Sequence, residues 1–130
     1  MSSHRRRVLI VDDSSIARAT IRELLAPTGY QIFERESPIG ATVEILKNEI
    51  ELVILDMNMP AMSGERFAQM MRSNPRFSNL MIVLVSGDSE DRLHEVGESI
   101  QADAVLQKAE LKELLLDTVE RLLNREPSTS

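Results

Sequence analysis

The chain has 130 residues, 42% of them hydrophobic and 28% charged, and this length favours one compact domain. It contains no cysteine, which excludes zinc–cysteine sites, iron–sulfur clusters, thiol catalysis and a disulfide-stapled secreted scaffold. The net charge of -6 argues against a nucleic-acid or anionic-membrane surface, and no apolar stretch approaches the roughly 20 residues of a membrane span. We therefore expect a cytoplasmic protein without direct contact to nucleic acid or membrane.

Short aliphatic runs at 8–11, 52–55 and 80–85 indicate three buried strands. Runs of this length without polar alternation are typical of strands covered on both faces, as in a parallel sheet between two helical layers. Two weaker strands are predicted at 30–36, where apolar and polar residues alternate as at a sheet edge, and at 103–107.

Apolar residues at helical spacing predict five helices between and after these strands. Serines mark the beginnings of the first three, and Pro38 is expected in the first turn of the second. The apolar stripes of all five, including Ile16, Leu46, Met70 and Leu114, are expected to face the core. The expected helices begin at 14–15, 37 and 63, and span about 88–99 and 110–124.

The alternation of strands and helices predicts an α/β fold with one doubly wound parallel sheet and right-handed crossovers. Ligands of such sheets bind beyond the carboxyl ends of the strands. We expect a disordered basic N-terminus at 1–7, the folded domain at 8–124, and a polar tail or linker start at 125–130.

Polar residues follow four of the predicted strands. Because parallel strands end at the same edge, three carboxylates crowd together there, and their repulsion raises a pKa unless a cation is present. Mg²⁺ fits, because it prefers carboxylate oxygens and the chain offers none of the ligands that favour zinc. The residues are Asp12 and Asp13 after the first strand, Asp56 after the third, Ser86 and Gly87 after the fourth, and Lys108 after the fifth.

These residue types suit phosphoryl transfer. A lysine, a serine hydroxyl and Mg²⁺ would neutralise the oxygens of a transferring phosphoryl group. Asp56 is the best placed nucleophile, since aspartate can form acyl phosphates. Asp13 alone could instead cap the next helix, but capping does not explain polar residues after four aliphatic strands.

At these motifs the chain resembles the receiver domain of two-component response regulators, the CheY-like family, over nearly its whole length. The resemblance implies the flavodoxin-like strand order 2-1-3-4-5 for the five-stranded sheet. The third-strand motif, with the acidic pair before it and serine and lysine after it, is the specific part. The matching segments are Val-Asp-Asp-Ser at 11–14, Leu-Asp-Met-Asn-Met-Pro at 55–60, Met-Ser-Gly at 62–64, Val-Ser-Gly at 85–87, and Lys108.

The resemblance also implies roles for the acids. Asp56 would accept a phosphoryl group from a histidine kinase or histidine phosphotransfer protein. Asp13 would bind Mg²⁺ directly and Asp12 through water, while Asp56 and the backbone carbonyl of Asn58 would complete the protein ligands.

Around the acceptor, the resemblance implies that Ser86 and Lys108 bind the phosphoryl oxygens and that Gly87 leaves room beside it. Asn58 and Asp88 would occupy the two variable positions that set how long the phosphoryl group persists.

Two residues depart from the family pattern. Ala109 stands where the family usually has a proline in a cis peptide, and a cis bond without proline costs about 2.5–4 kcal/mol, so we expect a trans bond. Val105 stands where an aromatic ring usually swings inward on activation, so no aromatic rotamer switch is expected.

The sequence therefore predicts a signalling switch that catalyses its own phosphoryl transfer and dephosphorylation rather than a metabolic enzyme. Its downstream partner would be a protein of unknown identity, and the chain would be a monomer or a phosphorylation-dependent dimer. The alternative is a non-phosphorylated pseudo-receiver, a constitutive interaction module, motivated by Ala109 and Val105.

Two other classes of function fit less well. A Mg²⁺-dependent aspartate hydrolase normally needs a second acid where Asn58 stands. Nucleotide or flavin binding would require a glycine-rich phosphate loop, and the chain has none after the first strand.

Overall fold

The sheet has five parallel strands in the order β2-β1-β3-β4-β5, which confirms the predicted topology. This computed structural model describes residues 5–60, 62–87 and 89–124. The alternating strand lies at a sheet edge, as its pattern predicts. The strands are β1 (Arg7–Val11), β2 (Gln31–Arg35), β3 (Leu52–Asp56), β4 (Met81–Ser86) and β5 (Ala104–Gln107).

Five α-helices connect and follow the strands. Serines at 14, 63 and 89 cap the first, third and fourth, and each hydroxyl accepts the backbone N–H three residues later. Among the described residues, no helix is long and apolar enough to cross a bilayer. The helices are α1 (Ser15–Leu25), α2 (Ala41–Lys47), α3 (Gly64–Arg72), α4 (Glu90–Ile100) and α5 (Leu111–Leu123).

The start predicted for α2 at Ser37 is wrong, because the helix begins at Ala41. The Ser37 hydroxyl accepts the N–H of Ile39 at 3.1 Å, and the Ala41 N–H donates to the Pro38 carbonyl at 3.0 Å. Ser-Pro therefore forms a turn before the helix. Gly40 ends this turn at φ 84°, a left-handed conformation that glycine adopts without a steric penalty.

The first strand begins at Arg7, one residue before the predicted boundary of the folded domain. Arg6 pairs with Glu51 at 2.8 Å, and Arg5 donates to the carbonyl of Gly29 at 3.0 Å, so the basic segment contacts the fold. Residues 1–4 and the expected tail at 125–130 lie outside the described residues.

The core forms two layers, one on each face of the sheet. Helices α2, α3 and α4 cover one face, and α1 and α5 cover the other. Strands β1, β3 and β4 contribute to both layers, which explains their unbroken aliphatic runs. Four helix residues expected in the core are exposed instead: Ile16 (78%), Met70 (46%), Leu46 (41%) and Leu114 (39%).

Candidate functional site

Three carboxylates meet beyond the carboxyl ends of β1 and β3. One oxygen from each of Asp12, Asp13 and Asp56 lies within 4.8 Å of the other two. Asp12 and Asp56 are buried, with 1% and 4% of their surface exposed, whereas Asp13 is exposed. The structure thus brings together the acids whose convergence the strand ends predict.

Asp12 is held through three of its polar groups. Its N–H donates to the carbonyl of Arg35 at 3.1 Å, which continues the contact of β1 with β2. Its Oδ1 accepts the N–H of Ser14 at 2.9 Å, and its carbonyl accepts Nη1 of Arg18 at 2.6 Å. Sequence analysis missed Arg18, because a basic residue one turn into an amphipathic helix gives no distinct signal.

Asp56 ends a strand that is buried along its whole length. The loop after it stays close to the sheet, since the N–H of Met57 donates to the carbonyl of Val85 at 3.0 Å. The N–H of Asn58 donates to Asp56 Oδ1 at 3.2 Å. Helix α3 begins directly against this loop, and a Cβ on Gly64 would lie 2.2 Å from the backbone oxygen of Asp56.

Burial raises the pKa of Asp56 from 3.8 to about 6. The neighbouring carboxylates of Asp12 and Asp13 raise this pKa as well, while the hydrogen bond from Asn58 and the charge of Lys108 lower it. A carboxylate that is desolvated beside like charges gains from a nearby cation. The electrostatics of the cluster therefore favour a bound positive charge.

Ser86 is fully buried at the end of β4, where its hydroxyl accepts Nδ2 of Asn58 at 3.3 Å. Asn58 therefore contacts the Asp56 carboxylate through its backbone N–H and the Ser86 hydroxyl through its side-chain amide. Gly87 is exposed, and a Cβ there would meet no heavy atom within 4 Å. Asp88 lies outside the described residues.

Lys108 is exposed at the start of a short 3₁₀ turn, Lys108–Glu110, that joins β5 to α5. Its charge lowers the pKa of Asp56, although the two described side chains form no ion pair. The stretches described here hold no cis peptide bond, so the bond between Lys108 and Ala109 is trans as expected.

Val105 lies on β5, and its half-buried side chain packs against α4. Its Cγ1 lies 2.5 Å from where a Cβ on Gly97 would stand, so the valine packs directly on the helix backbone. A branched aliphatic side chain, packed against a glycine, thus stands where the receiver family usually has an aromatic ring.

Comparisons with known proteins agree with this geometry. A family model for the response regulator receiver domain matches residues 8–120. The chain is 33% identical over 122 residues to the gliding motility regulatory protein of Myxococcus xanthus, covering 93% of this chain and 16% of that protein. It is 37% identical over 82 residues to the sensor histidine kinase CheAY of Helicobacter pylori, covering 61% of this chain and 10% of that protein.

The chain therefore spans a small part of the length of these two relatives. A solved structure of similar size is the chemotaxis protein CheY4 of Vibrio cholerae, with a TM-score of 0.82 and 26% identity over 92% of this chain and 99% of that one. This likeness confirms the expected CheY-like fold. The chain belongs to the response regulator receiver domain family.

Proposed function

We propose that the chain is a phosphorylation-dependent switch in two-component signalling, with Asp56 as the residue that accepts the phosphoryl group. One observation carries this proposal: the carboxylates of Asp12, Asp13 and Asp56 lie within 4.8 Å of one another at the ligand-binding edge of a receiver-family sheet. Ser86 and Lys108 follow the next two strands and supply a hydroxyl and a positive charge.

The donor set fits Mg²⁺. Three carboxylates within 4.8 Å form a hard, negatively charged oxygen site, and the raised pKa of Asp56 reflects charge that a divalent cation would stabilise. Asp12, Asp13, Asp56 and the backbone carbonyl of Asn58 would hold the ion. When bound, it offsets the negative charge of the acids and of the phosphoryl oxygens.

In the proposed step, a carboxylate oxygen of Asp56 attacks the phosphorus of a phosphohistidine. The bond from phosphorus to the donor nitrogen breaks, its electron pair stays on the imidazole, and an acyl phosphate forms on Asp56. A Cβ on Gly87 would meet no heavy atom within 4 Å, which is consistent with the room that the resemblance implies at this position.

Two side chains must change contacts when the phosphoryl group arrives. Ser86 exchanges its hydrogen bond from Asn58 for one to a phosphoryl oxygen. Lys108 moves from its exposed position to pair with another oxygen. Hydrolysis of the acyl phosphate by water returns the switch to its starting state, and Asn58 and Asp88 set the rate of that step.

The donor is proposed to be a histidine kinase or a histidine phosphotransfer protein. The match to a region of a protein named as a sensor histidine kinase supports this class of donor. A chain that receives phosphoryl groups from such donors would act in the cytoplasm. A downstream protein, or a second copy of the chain, would read the changed surface.

A constitutive interaction module, or pseudo-receiver, is the second candidate. It is favoured by Val105, which packs against Gly97. This valine stands where the family has an aromatic side chain that changes rotamer on activation, and a valine cannot make that movement. Beryllofluoride, which mimics a phosphoryl group on aspartate, separates the two candidates when its binding is followed by amide NMR shifts with Mg²⁺. Saturable shifts in the parent that are absent in Asp56→Asn support the switch, and no shifts in the parent support the pseudo-receiver.

A further inference from the structure

Arg18 lies one turn into α1, against the backbone of the acid cluster. Its side chain is only 15% exposed, which is unusual for a cation on a surface helix. Nη1 donates to the carbonyl of Asp12 at 2.6 Å, and Nε pairs with Glu34 on β2 at 3.1 Å. The guanidinium therefore bridges the edge strand to the loop that carries two of the acids.

The carbonyl that Arg18 binds belongs to the peptide group between Asp12 and Asp13. A peptide group is planar, so a donor on its oxygen fixes the orientation of the whole group. The N–H of Asp12 is fixed independently by the carbonyl of Arg35. Together the two hydrogen bonds hold the backbone on both sides of the Asp12 Cα, and they thereby orient the side chains of Asp12 and Asp13.

We propose that Arg18 is a positioning residue that orients the Asp12–Asp13 peptide group and thereby preorganises the two acids for a divalent cation. The inference rests on the proposed function, because it assigns a supporting role to a residue outside the acid cluster. Partners that orient metal ligands in this way typically contribute 10–100-fold to metal affinity.

The positive charge of Arg18 acts in the opposite direction. A cation beside the acids repels a divalent ion, and removal of its charge alone would strengthen binding. Glu34 pairs with Arg18 at 3.1 Å and offsets part of this repulsion, although it shares its charge with Arg22. Positioning and charge therefore predict opposite changes in cation affinity when Arg18 is replaced, which makes the sign of the change decisive.

Arg22 is the matched control. It lies one turn further along α1 and shares Glu34, but its second bond goes to the carbonyl of Ile32 at 3.2 Å and not to the acid loop. Replacing either arginine removes one ion pair to Glu34. Only the replacement of Arg18 releases the Asp12 carbonyl.

The experiment is calorimetric titration of Mg²⁺ into the full chain and into Arg18→Gln, Arg18→Lys and Arg22→Gln, with thermal unfolding in the absence of Mg²⁺ as the measure of fold stability. We expect Kd to rise roughly tenfold in Arg18→Gln and to stay within about twofold in Arg22→Gln. Arg18→Gln should lose more stability than Arg22→Gln, because the Arg18 side chain is 15% exposed and that of Arg22 49%, so Kd is compared at a temperature at which the thermal unfolding curves show both variants folded. In Arg18→Lys, which keeps the charge but has one donor group for two partners, Kd should rise by roughly threefold.

An unchanged or lower Kd in Arg18→Gln overturns the positioning role. If that variant does not fold, an unchanged Kd in Arg18→Lys overturns it instead. A parent chain that binds no Mg²⁺ would contradict the proposed function itself, whereas a parent that binds Mg²⁺ as tightly as Arg18→Gln contradicts only the role of Arg18.

Discussion

The side-chain amide of Asn58 donates a hydrogen bond to the hydroxyl of Ser86 at 3.3 Å, joining the loop after β3 to the end of β4. The hydroxyl that is proposed to bind the phosphoryl group is therefore already engaged before that group arrives. The backbone N–H of the same asparagine binds Asp56 Oδ1 at 3.2 Å. Asn58 thus contacts both the proposed acceptor Asp56 and the Ser86 hydroxyl.

The first prediction concerns this hydrogen bond. Asn58→Ala removes it, and a hydrogen bond of this kind contributes about 1 kcal/mol, so beryllofluoride should bind about fivefold more tightly to the variant. The measurement is beryllofluoride titration followed by NMR in Mg²⁺. Ser86→Ala and the double variant Asn58→Ala/Ser86→Ala complete a double-mutant cycle. Asn58→Ala should not tighten beryllofluoride binding in the Ser86→Ala background. Weaker binding to Asn58→Ala would show that its amide contacts the phosphoryl group directly.

The raised pKa of Asp56 predicts how stability depends on pH. Between pH 4 and 6 the unfolded chain ionises this carboxyl while the folded chain keeps its proton, so the free energy of unfolding falls as the pH rises. Well above pH 6 the carboxyl is ionised in both states, and the loss of unfolding free energy stays constant at about 2–3 kcal/mol. The stability of Asp56→Asn relative to the parent should therefore be higher at pH 7 than at pH 4.

Urea unfolding at the two pH values, without Mg²⁺, measures this difference. Asp13→Asn is the control, because Asp13 is exposed and its replacement should have a smaller effect. Equal stability of the parent and Asp56→Asn at pH 7 would contradict the desolvation of the Asp56 carboxylate.

Gly64 and Gly87 should respond oppositely to the same substitution. A Cβ on Gly64 would lie 2.2 Å from the backbone oxygen of Asp56, whereas a Cβ on Gly87 would meet nothing within 4 Å. We expect Gly64→Ala to lose about 3 kcal/mol of unfolding free energy, and Gly87→Ala to change it by less than about 1 kcal/mol. Chemical denaturation of both variants provides the test, and a stable Gly64→Ala would contradict the close approach of α3 to β3.

The contact between Gly97 and Val105 predicts a coupled pair. Alanine in a helix is about 1 kcal/mol more favourable than glycine, but at position 97 it would meet Val105 Cγ1 at 2.5 Å. Gly97→Ala should therefore destabilise the parent and stabilise a Val105→Ala background. A double-mutant cycle of unfolding free energies should give a coupling of about 1–3 kcal/mol, and additive effects would contradict the contact.

The parallel sheet could be predicted because its central strands are covered on both faces and their sequences are correspondingly aliphatic, whereas the strand order came from the resemblance to the receiver family. The acid cluster followed from that topology, since parallel strands bring Asp12 and Asp56 to one edge. The start of α2 could not be predicted, because Ser37-Pro38 suits a helix cap and a turn equally, and the left-handed Gly40 decides between them.

The contacts that support the cluster are also hidden from the sequence. Arg18 bonds both Glu34 on β2 and the Asp12 carbonyl, and both contacts depend on how α1 packs against the sheet, which the sequence pattern does not specify. Ile16 is another example: its spacing matches the stripe that buries Ile21 and Leu25 on α1, yet 78% of the residue is exposed.

The most direct test of the proposed function is the intact mass of the chain after incubation with Mg²⁺ and a small acyl-phosphate donor. The parent should gain one phosphoryl group, and Asp56→Asn should gain none. An adduct of the same mass and yield on Asp56→Asn would contradict Asp56 as the acceptor. A parent that gains no phosphoryl group and also shows no beryllofluoride binding would contradict the switch.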